Sequence, residues 1–424
     1  IPPVYLFLVL MIFGVVLRGE SMTADPPGSK WLLLYLGIAV VATAAAALWL
    51  ELPAVQMDRW LRFRAGSMRS PLQLALTIFH FIPFFLVIAA VKTEQSANSV
   101  LKVHVWAGFI LICLGLYQLT AFVADLPLKD FTWSVNAVSD ATIYPYGKVH
   151  EYGAGVTHFA TRATFVETRY FADYLLSVVP ITMAFWISGS KEIRERFGIL
   201  ASPLVAILGV IVIFFTMSRS GWVALAVSAL ILSLWLSPRL FFKHLPMTVA
   251  FTAIVVGIFM KVGFFSGSVT SIWSIIAERL DWQGIIMDPR VAYFLVLWEI
   301  VSENPILGVG AGNFGVLGSA MLGANVLISA HGVPWAALAE FGLLGFTALM
   351  VAFGTIMLSL GRSIRRCRIQ SQRVVMIGLF ASLTALLINT CTGADRPPFH
   401  LVFLLGMAAA YSFFSRRLTE TDGV

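Results

Sequence analysis

The sequence predicts an all-α polytopic integral membrane protein. Hydrophobic residues make up 59% and charged residues 12% of the 424 residues, and the mean hydropathy is +0.87. No water-soluble fold could cover so much apolar surface with so few charges. Apolar segments long enough to cross roughly 30 Å of membrane hydrocarbon as helices recur to the end of the chain. We therefore treat residues 1–424 as a single transmembrane domain.

The apolar segments define about 11 spans, and a segment upstream of Ile1 would bring the native number to about 12. The spans lie at residues 3–17, 31–50, 72–91, 104–126, 170–188, 197–217, 221–236, 247–265, 334–360, 374–391 and 401–414. Short basic loops stay in the cytoplasm, and by this count the most basic segments fall on one side. These segments are residues 191–196, 239–243, 361–373 and 416–417.

The opposite face is predicted to carry the longer connections. Residues 265–333 form the only connection with room for a folded subdomain, and we expect two short interfacial helices in it, at 269–280 and 288–302. The second begins with Asp-Pro, residue types typical of a helix N-cap and first turn. The other outer connections are residues 127–169, 218–220 and 394–400.

Arginines are frequent on this outer face. Arg219 is the most informative, because its short connection holds the guanidinium at membrane depth, where an unpaired charge is costly. The partner could be an acid, with Glu167, Asp173, Asp288 and Glu299 as candidates. Several guanidinium groups at one interface suit a multiply charged phosphate better, so we favour a pyrophosphate site. The arginines concerned are Arg162, Arg169, Arg219, Arg290 and Arg396.

The connection 51–71 breaks the charge pattern. It counts to the outer face, yet it carries Arg59, Arg62, Arg64 and Arg69. Either the count is off by one span near the N-terminus, or these arginines contact lipid headgroups or serve a function. The sequence leaves their role open.

The stretch "AHGVPWAALAEFGLLG" places His331 just before the N-terminal end of an apolar helix. The unperturbed pKa of histidine, about 6.5, suits a general base at working pH. The alternative is a histidine that bonds a backbone carbonyl where a helix begins. The same helix carries one acidic residue, Glu340, which we interpret as structural and hydrogen-bonded between spans. An acid at membrane depth is nevertheless a functional candidate by default.

Other site types find little support in the sequence. Cys113, Cys367 and Cys391 form no metal-ligand spacing with the seven histidines, so we expect no metal and no cofactor. "GVGAGNFG" follows no strand of a βαβ unit, and we interpret it as a turn that lets backbone approach the substrate or a neighbouring span. The net charge of +7 comes largely from cytoplasmic loops that face anionic lipid, which argues against a nucleic-acid partner.

Three stretches together resemble the O-antigen ligase and polymerase superfamily of bacterial envelope biogenesis. They are "RATFVETRYFADYLLSVVPI", "FTMSRSGWVALAVSALIL" and "DPRVAYFLVLWEIVSENPILGVGAGNFG", the last followed by His331 and by Gly342 and Gly345. The resemblance covers roughly residues 162–346. Gly332 stands where the ligase pattern has a small polar residue. This departure favours the polymerase interpretation over the ligase interpretation.

The resemblance implies a metal-independent, inverting glycosyltransferase of the GT-C type in the bacterial inner membrane, with its active site on the periplasmic face. Its donor would be a glycan on undecaprenyl pyrophosphate, and the ligase acceptor would be a sugar hydroxyl of the lipid A core. His331 and Arg290 are the predicted catalytic residues, and Arg219, Arg162 and Arg169 the predicted substrate-binding residues.

Two alternatives stay open. An O-antigen or capsule polymerase would use the same fold with a second lipid-linked glycan as acceptor. An anion transporter would also use intramembrane arginines, but transporters typically show internal repeats, and we find no such duplication in this sequence.

Overall fold

The computed structural model describes most of the membrane-spanning part of the chain. The described residues are 26–52, 69–124, 126–127, 149–152, 156–159, 161, 163, 165, 168–216, 218–236, 246, 289–324, 327–393 and 395–421. The predicted spans 3–17 and 247–265 and the predicted interfacial helix 269–280 lie outside them. Arg59, Arg62, Arg64, Arg162, Glu167 and Asp288 also lie outside them.

The described chain is mostly helical. In chain order the helices are α1 (Ser29–Trp49), α2 (Arg69–Ala90), α3 (Glu94–Ala124), α4 (Thr168–Leu176), α5 (Val179–Ser188), α6 (Lys191–Phe197), α7 (Pro203–Phe215), α8 (Arg219–Leu236), α9 (Pro289–Glu303), α10 (Asn313–Met321), α11 (Val333–Arg366), α12 (Gln370–Thr390) and α13 (Phe399–Thr421). A 3-10 turn, Gly198–Ala201, lies between α6 and α7. Two short antiparallel strands, β1 (Val149–Tyr152) and β2 (Val156–Phe159), form a hairpin.

The predicted spans within the described residues are all helical. Among the described residues, seven helical segments are long and apolar enough to cross a membrane, and α4 and α5 together form one of them. The bent pair Lys191–Ala201 and Pro203–Phe215, which turns by 45°, makes a possible eighth, and Phe399–Phe414 is a shorter apolar helix. The chain is therefore a polytopic membrane protein, as predicted.

Three details differ from the prediction. A short hairpin, β1–β2, lies in the predicted loop 127–169 and was not expected, although the fold stays predominantly helical. Arg219 was placed in a turn but is the first residue of α8. The basic segment 361–373 is largely helical, because α11 continues to Arg366 and α12 begins at Gln370.

A polar cluster marks one end of the helix bundle. Arg196 of α6 donates hydrogen bonds to Glu94 at 2.9 Å and to Glu192 at 3.0 Å, and Gln372 of α12 donates to Glu94. The predicted cytoplasmic segments 191–196 and 361–373 therefore share one end of the bundle. Helix α2 ends beside this cluster and starts, 22 residues or roughly 33 Å away, at Arg69. Arg69 thus belongs to the opposite end, in agreement with the span count.

Helix α11 is broken where the sequence has its Gly-x-x-Gly pattern. Gly342 has φ 63° and ψ −166°, which removes it from the helix. The N–H groups of Leu343 and Leu344 donate instead to the carbonyls of Pro305 and Ile306, at 2.8 and 3.3 Å.

The backbone carbonyl groups on the N-terminal side of the break also find hydrogen-bond partners in the segment around residues 305–310. The N–H groups of Val309 and Gly310 donate to the carbonyls of Ala339 and Glu340, at 3.0 and 2.8 Å. Inside a bilayer no water replaces a lost helix bond, so these exchanges are what make the break tolerable. The prediction that "GVGAGNFG" approaches a neighbouring span is confirmed.

Candidate functional site

The turn at residues 308–315 lies between three helices at the bundle end opposite the Glu94 cluster. The Nε of Arg69 on α2 donates to the carbonyl oxygen of Gly312 at 2.9 Å. On α11 the Oε1 of Glu340 accepts from the N–H of Gly312 at 2.8 Å, and on α1 Thr43 accepts from Ala311 at 3.1 Å. Glu340 therefore has the structural hydrogen bond that the sequence predicted, although the bond joins α11 to this turn rather than to another span.

Glycine is required in this turn. Gly308, Gly310 and Gly312 all have positive φ, of 66°, 79° and 74°. A Cβ at Gly308 would lie 2.5 Å from the carbonyl oxygen of Ala339. Larger residues would separate the turn from α11, and the broken helix would lose its substitute hydrogen bonds.

A cavity of about 70 Å³ opens beside this turn. Apolar groups of Ile328, Ala336, Ala337 and Phe341 form part of its wall, with backbone of Gly312 and Gly315. Its polar lining comes from α1, α2, α11 and the connection before α13, and consists of Tyr35, Arg69, Gln73, Thr77, Glu340, Asp395 and Arg396.

His331 lies in a bend held by this same lining. Its φ is 52°, a left-handed conformation that residues other than glycine rarely adopt and that is often associated with functional sites. The hydroxyl of Ser329 donates to Oδ1 of Asp395 at 2.7 Å and accepts from the N–H of His331 at 3.1 Å. The imidazole stacks on Tyr293 of α9, with ring centroids 5.5 Å apart and ring planes 8° from parallel.

Asp395 is the acceptor that organises this bend. Burial raises the pKa of the Asp395 carboxyl, and hydrogen bonds from Ser329 and from the backbone of Ala330, His331 and Gly332 act against that rise in pKa. Three consecutive backbone N–H groups thus face one carboxylate, the arrangement of an anion-binding nest. The bend is fixed in the conformation that positions the imidazole.

Gly332 has a steric reason for being glycine. A Cβ at this position would lie 2.6 Å from the carbonyl oxygen of Cys391, and the same carbonyl accepts a hydrogen bond of 2.8 Å from the indole of Trp335. The departure from the ligase pattern at Gly332 therefore follows from close packing against the end of α12.

Arg169 supports the connection that carries Asp395. It lies on α4 and donates to the carbonyl of Asn389 at 3.2 Å and to the hydroxyl of Thr392 at 3.4 Å. The buried Asp173, one turn further along α4, accepts a hydrogen bond from Asn389 and interacts electrostatically with Arg169. These contacts give Arg169 a structural role, and its predicted contact with the donor stays a prediction.

The other predicted site residues are described only in part. Arg219 is half-buried at the start of α8. Arg290 is the second residue of α9, which confirms a helix start at this point, but its side chain lies outside the described residues, as does all of Arg162. That Arg219 and Arg290 lie beside His331 stays a prediction.

Arg69 and Asp395 are the site residues that sequence reasoning missed, whereas Arg396 was already among the arginines of the outer face. The sequence left the role of Arg69 open and did not single out Asp395, and it named Arg396 only as one of several outer-face arginines that could contact a pyrophosphate. The available signal was that connections 51–71 and 394–400 both count to the face that carries His331. Both connections then bring charged residues to the same end of the bundle. A hydropathy profile locates the spans but does not show which connections lie close together.

Comparison with known proteins supports the resemblance. Residues 204–350 match the family described as O-antigen ligase. The match includes Arg219, Arg290, His331 and Glu340, and it excludes Arg69, Asp395 and Arg396. No curated protein matches the chain. Over residues 204–350, the part that contains the His331 bend and the break in α11, the chain carries a domain of the O-antigen ligase family within the ligase and polymerase superfamily.

Proposed function

We propose that the protein is an inverting membrane glycosyltransferase that moves a glycan from undecaprenyl pyrophosphate to a sugar hydroxyl of the lipid A core. The observation that carries the proposal is the His331 bend, held in a left-handed conformation by Asp395 beside a cavity with two arginines. The family match over residues 204–350 supports the class of reaction.

In the proposed reaction the acceptor hydroxyl attacks the anomeric carbon of the donor. The new carbon–oxygen bond forms as the bond to the pyrophosphate oxygen breaks, and the bonding electrons leave with the pyrophosphate. His331 takes the hydroxyl proton, a contribution worth roughly 10²–10⁴-fold in rate. Arg219 and Arg290 would stabilise the charge that develops on the leaving group, which is usually the largest electrostatic contribution. Direct attack inverts the anomeric centre.

The second candidate is an O-antigen or capsule polymerase. The sequence pattern favours it, because Gly332 replaces the small polar residue of the ligase pattern, although packing against Cys391 also accounts for a glycine at this position. The polymerase would use the same base and the same arginines, and only the acceptor would differ.

The test uses purified protein in detergent with lipid-linked O-polysaccharide and lipid A core. Products are separated on a gel, with His331→Ala as the negative control. Glycan joined to the core supports the ligase, and lengthening of the lipid-linked chain supports the polymerase. Neither product, together with anion flux in liposomes, would support the transporter and contradict the proposal.

A further inference from the structure

The charges around the cavity are balanced. The guanidinium groups of Arg69 and Arg396 stand against the carboxylates of Glu340 and Asp395, so the formal sum is zero. Glu340 interacts electrostatically with Arg396, Asp395 and Arg69. A pyrophosphate would meet two carboxylates here as well as two guanidiniums, and little net attraction would remain.

Three polar groups in the lining have hydrogen-bonding capacity left. Within the described part of the chain, the amide of Gln73 and the guanidinium of Arg396 make no hydrogen bond. Glu340 uses Oε1 for the N–H of Gly312, and its Oε2 accepts no hydrogen bond from the residues that the structure describes. None of these atoms is among the buried side-chain atoms that lack a partner, and all three residues line the cavity.

This set of groups fits a polyol. Arg396 only donates, a carboxylate oxygen only accepts, and the Gln73 amide does both. A sugar hydroxyl donates and accepts at once, so adjacent hydroxyls can satisfy all three groups. The apolar wall of Phe341, Ala336 and Ala337 would face the C–H side of the ring.

We propose that this cavity is a carbohydrate subsite that takes one uncharged, hydroxyl-bearing sugar unit between Gln73, Glu340 and Arg396. Asp395 belongs both to the cavity lining and to the His331 bend, so the bound unit lies next to the proposed base. The unit could be the first sugar of the donor or the terminal sugar of the acceptor. The choice of ligand rests on the proposed glycosyl transfer.

The test measures the KM of each substrate separately in Gln73→Ala and Glu340→Gln. Glutamine at position 340 can still accept from Gly312, so the turn should be retained. We expect the KM of one substrate to rise, by about two- to tenfold in Gln73→Ala, which loses a neutral hydrogen bond, and by about tenfold in Glu340→Gln, which loses a charged acceptor. A raised donor KM assigns the cavity to the donor sugar, and a raised acceptor KM assigns it to the acceptor sugar. Inhibition by inorganic pyrophosphate should not weaken in either variant.

Matched controls are Gln95→Ala and Glu195→Gln, exposed residues near the Glu94 end of the bundle. Unchanged KM values for both substrates, or weaker inhibition by pyrophosphate in either cavity variant, would overturn the subsite.

The subsite can also be tested without transfer. Saturation-transfer NMR with the oligosaccharide released from lipid A core by mild acid, and with the oligosaccharide of one O-antigen repeat, measures binding to the purified protein directly. Binding of either probe that Gln73→Ala weakens supports the subsite even where no product forms. Absence of binding by both probes to the wild-type protein overturns it, whereas failure of the proposed function would appear only in the transfer assay.

Discussion

The hydroxyl of Ser329 donates a 2.7 Å hydrogen bond to Oδ1 of Asp395, and this bond joins the bend before α11 to the connection before α13. The two residues are 66 positions apart in the chain. Through this contact, and through hydrogen bonds from the backbone of residues 330–332, the carboxylate of Asp395 holds the backbone of His331 in place. Asp395 is therefore a positioning residue in the proposed reaction.

Asp395→Asn should lower kcat and leave KM nearly unchanged. Asparagine replaces one acceptor oxygen by a donor, so part of the nest around Ala330, His331 and Gly332 is lost. Displacement of a catalytic group by about 1 Å can cost about 100-fold in rate, and we expect a loss of about 10- to 100-fold. Initial rates per folded molecule, counted by size-exclusion chromatography, give the comparison.

Ser329→Ala should have a smaller effect of the same kind. It removes the hydroxyl that joins the His331 N–H to Asp395, but the backbone hydrogen bonds from residues 330–332 to the Asp395 carboxylate remain. A rise in KM at constant kcat for Asp395→Asn would mean that the carboxylate binds substrate rather than positions the base.

Stability should depend on pH through the same carboxyl. Burial raises the pKa of Asp395 in the folded protein, so above the usual aspartate pKa the folded state binds a proton more readily than the unfolded state does. Stability from this group therefore falls as pH rises from the usual aspartate pKa through the raised one. Asparagine at position 395 cannot titrate.

The melting temperature of Asp395→Asn minus that of the wild type, measured in the same detergent, should accordingly become more positive as the pH rises through that interval. Above the raised pKa this difference should be constant. A difference that moves in the opposite direction would show that the hydrogen bonds to the carboxylate outweigh its burial.

Gly342→Ala should destabilise the protein strongly. Alanine at φ 63° is strained, and its Cβ would lie 2.3 Å from the carbonyl oxygen of Ile306. We expect a loss of about 2–4 kcal/mol in the free energy of unfolding. Thermal unfolding in detergent measures the change.

Gly354→Ala on the same helix is the control. A Cβ at Gly354 meets nothing within 4 Å, so alanine should raise stability by up to about 1 kcal/mol. Equal behaviour of the two variants would mean that the break in α11 does not constrain the fold.

Arg219→Ala and Arg290→Ala should each reduce kcat more than His331→Ala does. Stabilisation of the leaving pyrophosphate is expected to be the larger contribution, and the base is worth roughly 10²–10⁴-fold. Arg194→Ala, an exposed arginine on α6, serves as the control. Full activity of His331→Ala with inactive arginine variants would show that the imidazole only packs against Tyr293.

Hydropathy predicted the positions of the described spans, since apolar length is a local property. Sequence motifs also located the helix start at Pro289 and the approach of the glycine-rich turn to a span. The break at Gly342 was not predicted, because the groups that satisfy it come from residues 305–310. The contact of Arg69 with Gly312, 243 positions away, was equally inaccessible, since only the fold brings the two residues together.

The central claim is that His331 acts as base in metal-independent glycosyl transfer. The most direct test is single-turnover transfer of labelled lipid-linked glycan by purified protein in EDTA, with His331→Ala and Arg194→Ala in parallel. The account predicts product from the wild type and from Arg194→Ala, with a rate lower by roughly 10²–10⁴-fold in His331→Ala. Equal rates in all three proteins would contradict it.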